Sequence, residues 1–181
     1  MALSRDQMAQ RIFEEIRERP YRVKETAVDE SNNCAKKNLE LSQRLAMLRY
    51  EVRGRLVEFE WAEMGLPADI LALYPDEFPA THYYLEVCEN GKWRALDASW
   101  DSRLAQTLNY RLCDWQNGQA GLTSTHDYNG EELAAYLQTW WDQQLVADYF
   151  LKAGPFLVAV NQWLTKQRLQ SENISSLMAA R

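Results

Sequence analysis

The chain is poor in residues that break, staple or switch a structure: 5 prolines, 7 glycines, 3 cysteines and 2 histidines among 181 residues. Three cysteines without paired spacing argue against a disulfide framework and for reduced thiols. No apolar run reaches membrane-spanning length, and residues 1–6 lack the basic start and apolar stretch of a signal peptide. Cytoplasmic residence without membrane contact is therefore expected. An excess of basic charge is missing as well. The net charge of −6 disfavours a phosphate backbone as partner, so no nucleic acid is expected. Internal repeats and composition shifts are also absent, and the 46% hydrophobic content suffices for one buried core. A single domain over residues 1–181 is the expectation.

With two histidines and three cysteines, few nucleophilic constellations can be assembled, and one has favourable local settings. Ser31, Asn32 and Asn33 are good helix N-cap residues, and Leu41, Leu45 and Leu48 follow at helical spacing. Cys34 therefore starts a helix, where free N–H groups and the positive end of the helix dipole favour thiolate. Lys36 and Lys37 stand at the unfavourable end of that helix for cations, and are expected to help lower the thiol pKa.

Residues 82–88 and 93–99 read as strands rich in Tyr, Val, Leu and Trp, and Asn90-Gly91 between them signals a type I′ hairpin turn. A two-residue turn places Glu89 opposite Lys92, Val87 opposite Arg94 and Tyr84 opposite Asp97. Strand alternation then puts His82 and Asp97 on one face as diagonal neighbours, about 5–8 Å apart at Cβ. An Asp at that distance can hold an imidazole N–H and fix its tautomer.

These segments, Asn33-Cys34, Thr81-His82-Tyr83 and Asp97-Ala98-Ser99-Trp100-Asp101, resemble the signature of the transglutaminase-like superfamily. Its pattern is a Cys at a helix start, a His on a strand and an Asp on the next strand within an Asp-Ala-Thr-Trp-Asp type segment. Ser99 stands where Thr is usual, and Asn33 where a Gly or other small residue often precedes the Cys. The resemblance spans about residues 20–130 and is closest to small bacterial members. It implies an α+β, papain-like fold, with the nucleophile-bearing helix packed on an antiparallel sheet and extra N- and C-terminal helices. It also implies Cys34 as nucleophile, His82 as base and Asp97 as the residue orienting His82.

Elsewhere, residues 4–18 have the period of a packing helix, and Glu51 to Phe59 reads as a strand. Residues 107–112 suggest a further strand. A C-terminal helical extension is expected over about residues 131–170: one helix from Glu131 to about Lys152, a break at Gly154-Pro155, and a second helix through Leu164. The tail after Gln170 lacks apolar spacing and reads as weakly ordered. Residues 60–80 hold Pro67, Pro75 and Pro79 among many apolar side chains, which limits regular structure to about one short helix. This segment either caps the site or covers a sheet edge. Trp61, through its indole N–H, is its best candidate for a substrate wall or oxyanion donor. Asn33 and Tyr84 are further candidates for substrate contact.

Other assignments carry less. A lone Cys at a helix start is ordinarily a small core residue, and a strand His beside an Asp is often just a satisfied polar pair. Cys88, one strand length from His82, and Cys113, without a nearby base, read as structural. His126 sits in a polar loop expected to cap the next helix. Asp101 is a weak alternative to Asp97. A zinc site lacks ligands, and Asp127 to Glu132 is too short for a calcium loop, so no metal or cofactor is expected. The expected function is thiol-dependent acyl transfer on a peptide, protein or small amide through a covalent thioester. Hydrolysis, of peptidase or amidase type, is favoured over transfer to an amine. The competing class is a non-catalytic peptide- or protein-binding module.

Overall fold

In the computed structural model, which describes residues 3–118, 122 and 124–179 and side chains as far as residue 171, helices and one sheet alternate along the chain. Helix α1 (Arg5–Arg17) begins at a capping box in which Ser4 and Gln7 satisfy each other's backbone N–H groups. Its buried stripe, Ala9, Phe13 and Ile16, faces α2 (Cys34–Met47), which buries Lys37, Asn38, Leu41 and Leu45. The spacing of these four is that of one helix face, so the face that holds the two leucines in the core also carries two polar residues into it.

The sheet is antiparallel with strand order β3-β2-β1-β4, built from β1 (Glu51–Glu58), β2 (Thr81–Glu89), β3 (Lys92–Leu96) and β4 (His126–Tyr128). Asn90 (φ 53°) and Gly91 (φ 76°) both take the left-handed conformation that a type I′ turn requires. The register that follows pairs Glu89 with Lys92, Val87 with Arg94 and Leu85 with Leu96. Leu85, Val87 and Leu96 thereby meet α1 and α2 in one core cluster.

A second cluster is organised by α6 (Gln143–Ala179), whose Ala153, Phe156, Leu157, Val160, Trp163 and Leu164 pack with Tyr21, Val23, Phe59 and Trp100. The C-terminal segment is thus part of the core. Four expectations need correction here. Gly154-Pro155 does not end a helix; the break falls between α5 (Gly130–Thr139) and Gln143, and Pro155 lies inside α6. The apolar stripe continues in phase on both sides of Pro155, and its burial outweighs the local cost of about 3 kcal/mol for an interior proline. The backbone after Gln170 continues this helix to Ala179. Residues 107–112 form no strand: Asp101 caps α4 (Ser102–Leu108) by accepting from Leu104 N–H, and Asn109 ends it in the left-handed conformation. The loop holding His126 is instead the short edge strand β4, tied to α5 by a 2.7 Å contact from His126 Nε2 to Glu132. A single 3-10 turn (Trp61–Met64) and α3 (Ala68–Leu71) occupy the proline-rich stretch before β2. Among the described residues no helix is long and apolar enough to cross a membrane.

Lys37 is 1% exposed, and its Nζ donates to the carbonyls of Arg17, Arg19 and Ser99 at 2.7–2.8 Å. Burial pulls its pKa down to about 7, yet three acceptors match the three donors of an ammonium group. Replacing it by Met keeps the stem but strands three buried carbonyls. Lys37→Met is expected to lower unfolding stability by about 2–4 kcal/mol, seen as a lower urea midpoint with an unchanged m-value.

Candidate active site

The hairpin delivers His82 to the start of β2, and the residue after β3 is Asp97, so the turn that sets the register also sets this pair. His82 Nε2 lies 2.7 Å from Asp97 Oδ2, and both residues are 2% exposed. A buried carboxylate needs partners, and Asp97 has them. Its Oδ1 accepts from Ser99 Oγ (2.5 Å), Ser99 N (2.9 Å) and Asn38 Nδ2 (3.2 Å). With Nε2 committed to Asp97, Nδ1 is the ring nitrogen left for the third member.

That member is Cys34. Asn33 caps α2 by accepting from Lys36 N–H at 2.8 Å, which places Cys34 at the first helical position. Its side chain is half-buried at a cavity wall, and its sulfur stands near enough to His82 and to the backbone N–H of Tyr83 for both to favour its charged form. Burial disfavours charge on every member of this group. Even so, the Asp97 carboxylate and the Cys34 sulfur raise His82 to about 10, and the imidazolium lowers Cys34 below its ordinary value. Asp97 is held below the usual carboxylate range by His82 and Ser99. The three therefore favour a thiolate, an imidazolium and a carboxylate in line.

Lys36 and Lys37 take no part in this, contrary to expectation. Lys36 pairs with Glu30 at the surface, and Lys37 turns its ammonium toward the three carbonyls behind α2. Their charge is spent before it reaches the thiol. Tyr84 also needs correction: its ring stacks beside His82, with centroids 6.3 Å apart, but it is not part of the cavity wall. Cys88 sits at the far end of β2, opposite Glu51 and Trp93, whereas Cys113 is buried behind Asp97 and its sulfur accepts from Asp97 N–H at 3.3 Å.

Two residues of the site carry no signal in the sequence. Tyr21 is 6% exposed, and its hydroxyl lies near the Cys34 sulfur. Burial, with Cys34 and Asp97 nearby, pushes its pKa well up, so it stays a donor. Asp101, the weak alternative to Asp97, holds the backbone of Tyr21: its Oδ2 accepts from Tyr21 N–H at 3.1 Å and from Arg168, which in turn donates to Tyr21 O. Asn38 is the second. Fully buried one turn after Cys34, its amide nitrogen has two hydrogens shared among four acceptors in reach, the carbonyls of Cys34 (3.0 Å) and Tyr83 (2.9 Å), Asp97 (3.2 Å) and Ser99 (3.1 Å). Its oxygen accepts from Ala98 N–H at 2.9 Å. One side chain thus joins α2, β2 and the segment after β3.

The cavity beside Cys34 has a volume of about 530 Å³. Asn33 and Trp61 belong to its wall, with the rings of Trp61 and Phe59 edge to face at 4.8 Å. Trp61 Nε1 is buried without a hydrogen-bond acceptor; the Tyr74 hydroxyl is close enough to influence it but not placed to accept. The stretch before β2 therefore lines the cavity as well as covering the sheet.

Asn38→Ala should leave Ala98 N–H and the Tyr83 carbonyl buried and unpaired, lowering stability by about 2–4 kcal/mol. If Asn38 also positions the triad, the pH profile of Cys34 alkylation in this variant will move toward that of an ordinary thiol, which stability loss alone would not do. In the intact protein, alkylation should plateau below about pH 8.5, the free-thiol value. Acylation, which also needs the imidazolium proton, should fall as pH rises through about 10. Both limbs can be read from rate–pH profiles with mass mapping of Cys34. No protein-family model, no curated protein and no solved structure matches this chain.

Proposed function

We propose that the chain is a thiol-dependent acyl-transfer enzyme of transglutaminase-like type, built on a papain-like core, and that it acts chiefly as a hydrolase. The observation that carries this reading is the hydrogen-bonded His82–Asp97 pair standing next to the Cys34 sulfur, with a cavity opening at the sulfur end. A satisfied polar pair in a core requires no thiol and no cavity.

In this reading the Cys34 thiolate attacks the acyl carbonyl carbon. The oxyanion that forms is met by the Cys34 backbone N–H, which as the first helical N–H has no partner within the helix, and by the Tyr21 hydroxyl beside the sulfur. As the carbonyl re-forms, the bond to the leaving group breaks and His82 supplies the proton to the departing atom. The thioester is then attacked by water, which yields its proton to His82 while the thiolate leaves. Asp97 holds the ring in place throughout and stabilises its charged form.

Iodoacetamide should alkylate Cys34 faster than Cys88 or Cys113 at pH 7. Asp97→Asn should slow Cys34 acylation by an activated ester by roughly 10- to 10³-fold, and His82→Ala by at least as much; each leaves a buried partner less well paired and should melt lower than the parent while staying folded at the assay temperature. Peptide mapping and acylation kinetics measure these. If both variants fold normally and react as fast as the parent, Cys34 is an ordinary thiol and the chain is a binding module.

A further inference from the structure

The cavity wall is unusual in what it leaves out. Aromatic rings from well-separated parts of the chain are prominent in it, among them Phe59, Trp61, Trp100, Tyr136, Tyr149 and Phe150, with no Asp or Glu among its described residues. Apart from the Cys34–His82 pair, Lys24 is its one ionisable group outside the tyrosines. Tyr136 and Thr81 are hydrogen-bonded to each other at 3.0 Å, so neither hydroxyl needs a ligand. The backbone at the start of β2 is engaged too: the Tyr83 N–H lies near the Cys34 sulfur, and its carbonyl accepts from Asn38. An extended peptide finds little main chain to pair with there.

Two polar groups are left over. The indole N–H groups of Trp61 and Trp100 are buried without an acceptor, and Trp100 is only 5% exposed. Neither nitrogen has accessible surface in the cavity, so both tryptophans present ring carbon to a ligand and the wall stays apolar. The rim continues the same chemistry. Leu39 and Leu137, which line the cavity, remain 49% and 46% exposed. An apolar chain entering past them stays on apolar surface from rim to sulfur.

We propose that the site takes an uncharged, apolar acyl group, a medium-length alkyl or an aryl acid in ester, thioester or amide linkage. This rests on the acyl-transfer reading and names its substrate class. The acyl group is seated against the rings while its carbonyl carbon meets Cys34. The carbon–sulfur bond forms, the bond to the leaving oxygen, sulfur or nitrogen breaks, and that atom takes its proton from His82. Water then releases the free acid, and no oxidant or reductant is needed. A volume of about 530 Å³ falls in the ordinary range for drug-sized ligands, ample for an octanoyl or naphthoyl group.

The test uses the full chain and p-nitrophenyl esters of acetate, butyrate, octanoate, benzoate and succinate, each rate divided by that of the same ester with a small free thiol. Mass spectrometry identifies the acylated residue. The expected result is acylation of Cys34 with a normalised rate at least tenfold higher for octanoate or benzoate than for acetate. Succinate, carrying a charge, should fall below acetate. Whether octanoate or benzoate leads distinguishes an alkyl from an aryl substrate. Phe150→Ala, which removes a ring from the wall, should shift the optimum to a longer chain. Parallel alkylation by iodoacetamide separates the two layers of the reading. If Cys34 is selectively alkylated but all normalised ester rates agree within threefold, the apolar class is overturned while acyl transfer stands. If Cys34 is alkylated no faster than Cys88 or Cys113, both are overturned together.

Discussion

A carboxylate buried to 2% exposure must be surrounded by donors or it will not stay charged, and the structure around Asp97 is arranged to meet that demand. His82 approaches from β2, Ser99 from two residues on, and Asn38 from α2. Each donor belongs to a different element, so satisfying one carboxylate locks helix, strand and loop in register with one another. The chemistry at Cys34 follows from that lock. Without the fixed carboxylate, burial alone would push the imidazole toward its neutral form and the thiol toward protonation.

The five residues from Asp97 to Asp101 show how densely this arrangement is encoded. Asp97 binds the imidazole, the Ala98 N–H seats Asn38, and Ser99 braces Asp97 while its carbonyl receives Lys37. Trp100 joins the cavity wall, and Asp101 starts α4 while holding Tyr21 beside the sulfur. Side chains alternate between the triad side and the packing side, so one short segment serves both the site and the second core cluster. That cluster depends on α6, which supplies Phe156, Val160 and Leu164 to the core and Tyr149, Phe150 and Leu157 to the cavity. The helix that completes the hydrophobic core therefore also closes the pocket. A substitution there would be expected to affect stability and substrate fit together.

Local signals made part of this readable in advance. Ser31, Asn32 and Asn33 mark a helix start and Asn90-Gly91 a tight turn, and both signals act within a few residues of chain. The cap located Cys34, and the turn aligned His82 with Asp97. The same local reasoning failed where a distant partner outweighed it. Pro155 reads as a break because its cost is local, whereas the gain from α6's stripe comes from Tyr21, Phe59 and Trp100, far away in sequence. Lys36 and Lys37 read as cations next to a thiol, but the carbonyls that claim Lys37 belong to residues up to 62 positions away.

The sequence by itself determined the α+β composition, the hairpin register and the starting point of the helix that carries Cys34, because caps, turns and alternation are short-range properties of the backbone. Tertiary structure decided which residues stand behind the triad and what faces it. Tyr21 reaches the sulfur through Asp101 and Arg168, Asn38 bridges three elements, and the aromatic wall is assembled from stretches between Phe59 and Leu157. None of these has a periodic or capping signature, since a buried polar contact or a cavity wall depends on which surfaces meet in space, and single-chain pattern carries no record of that.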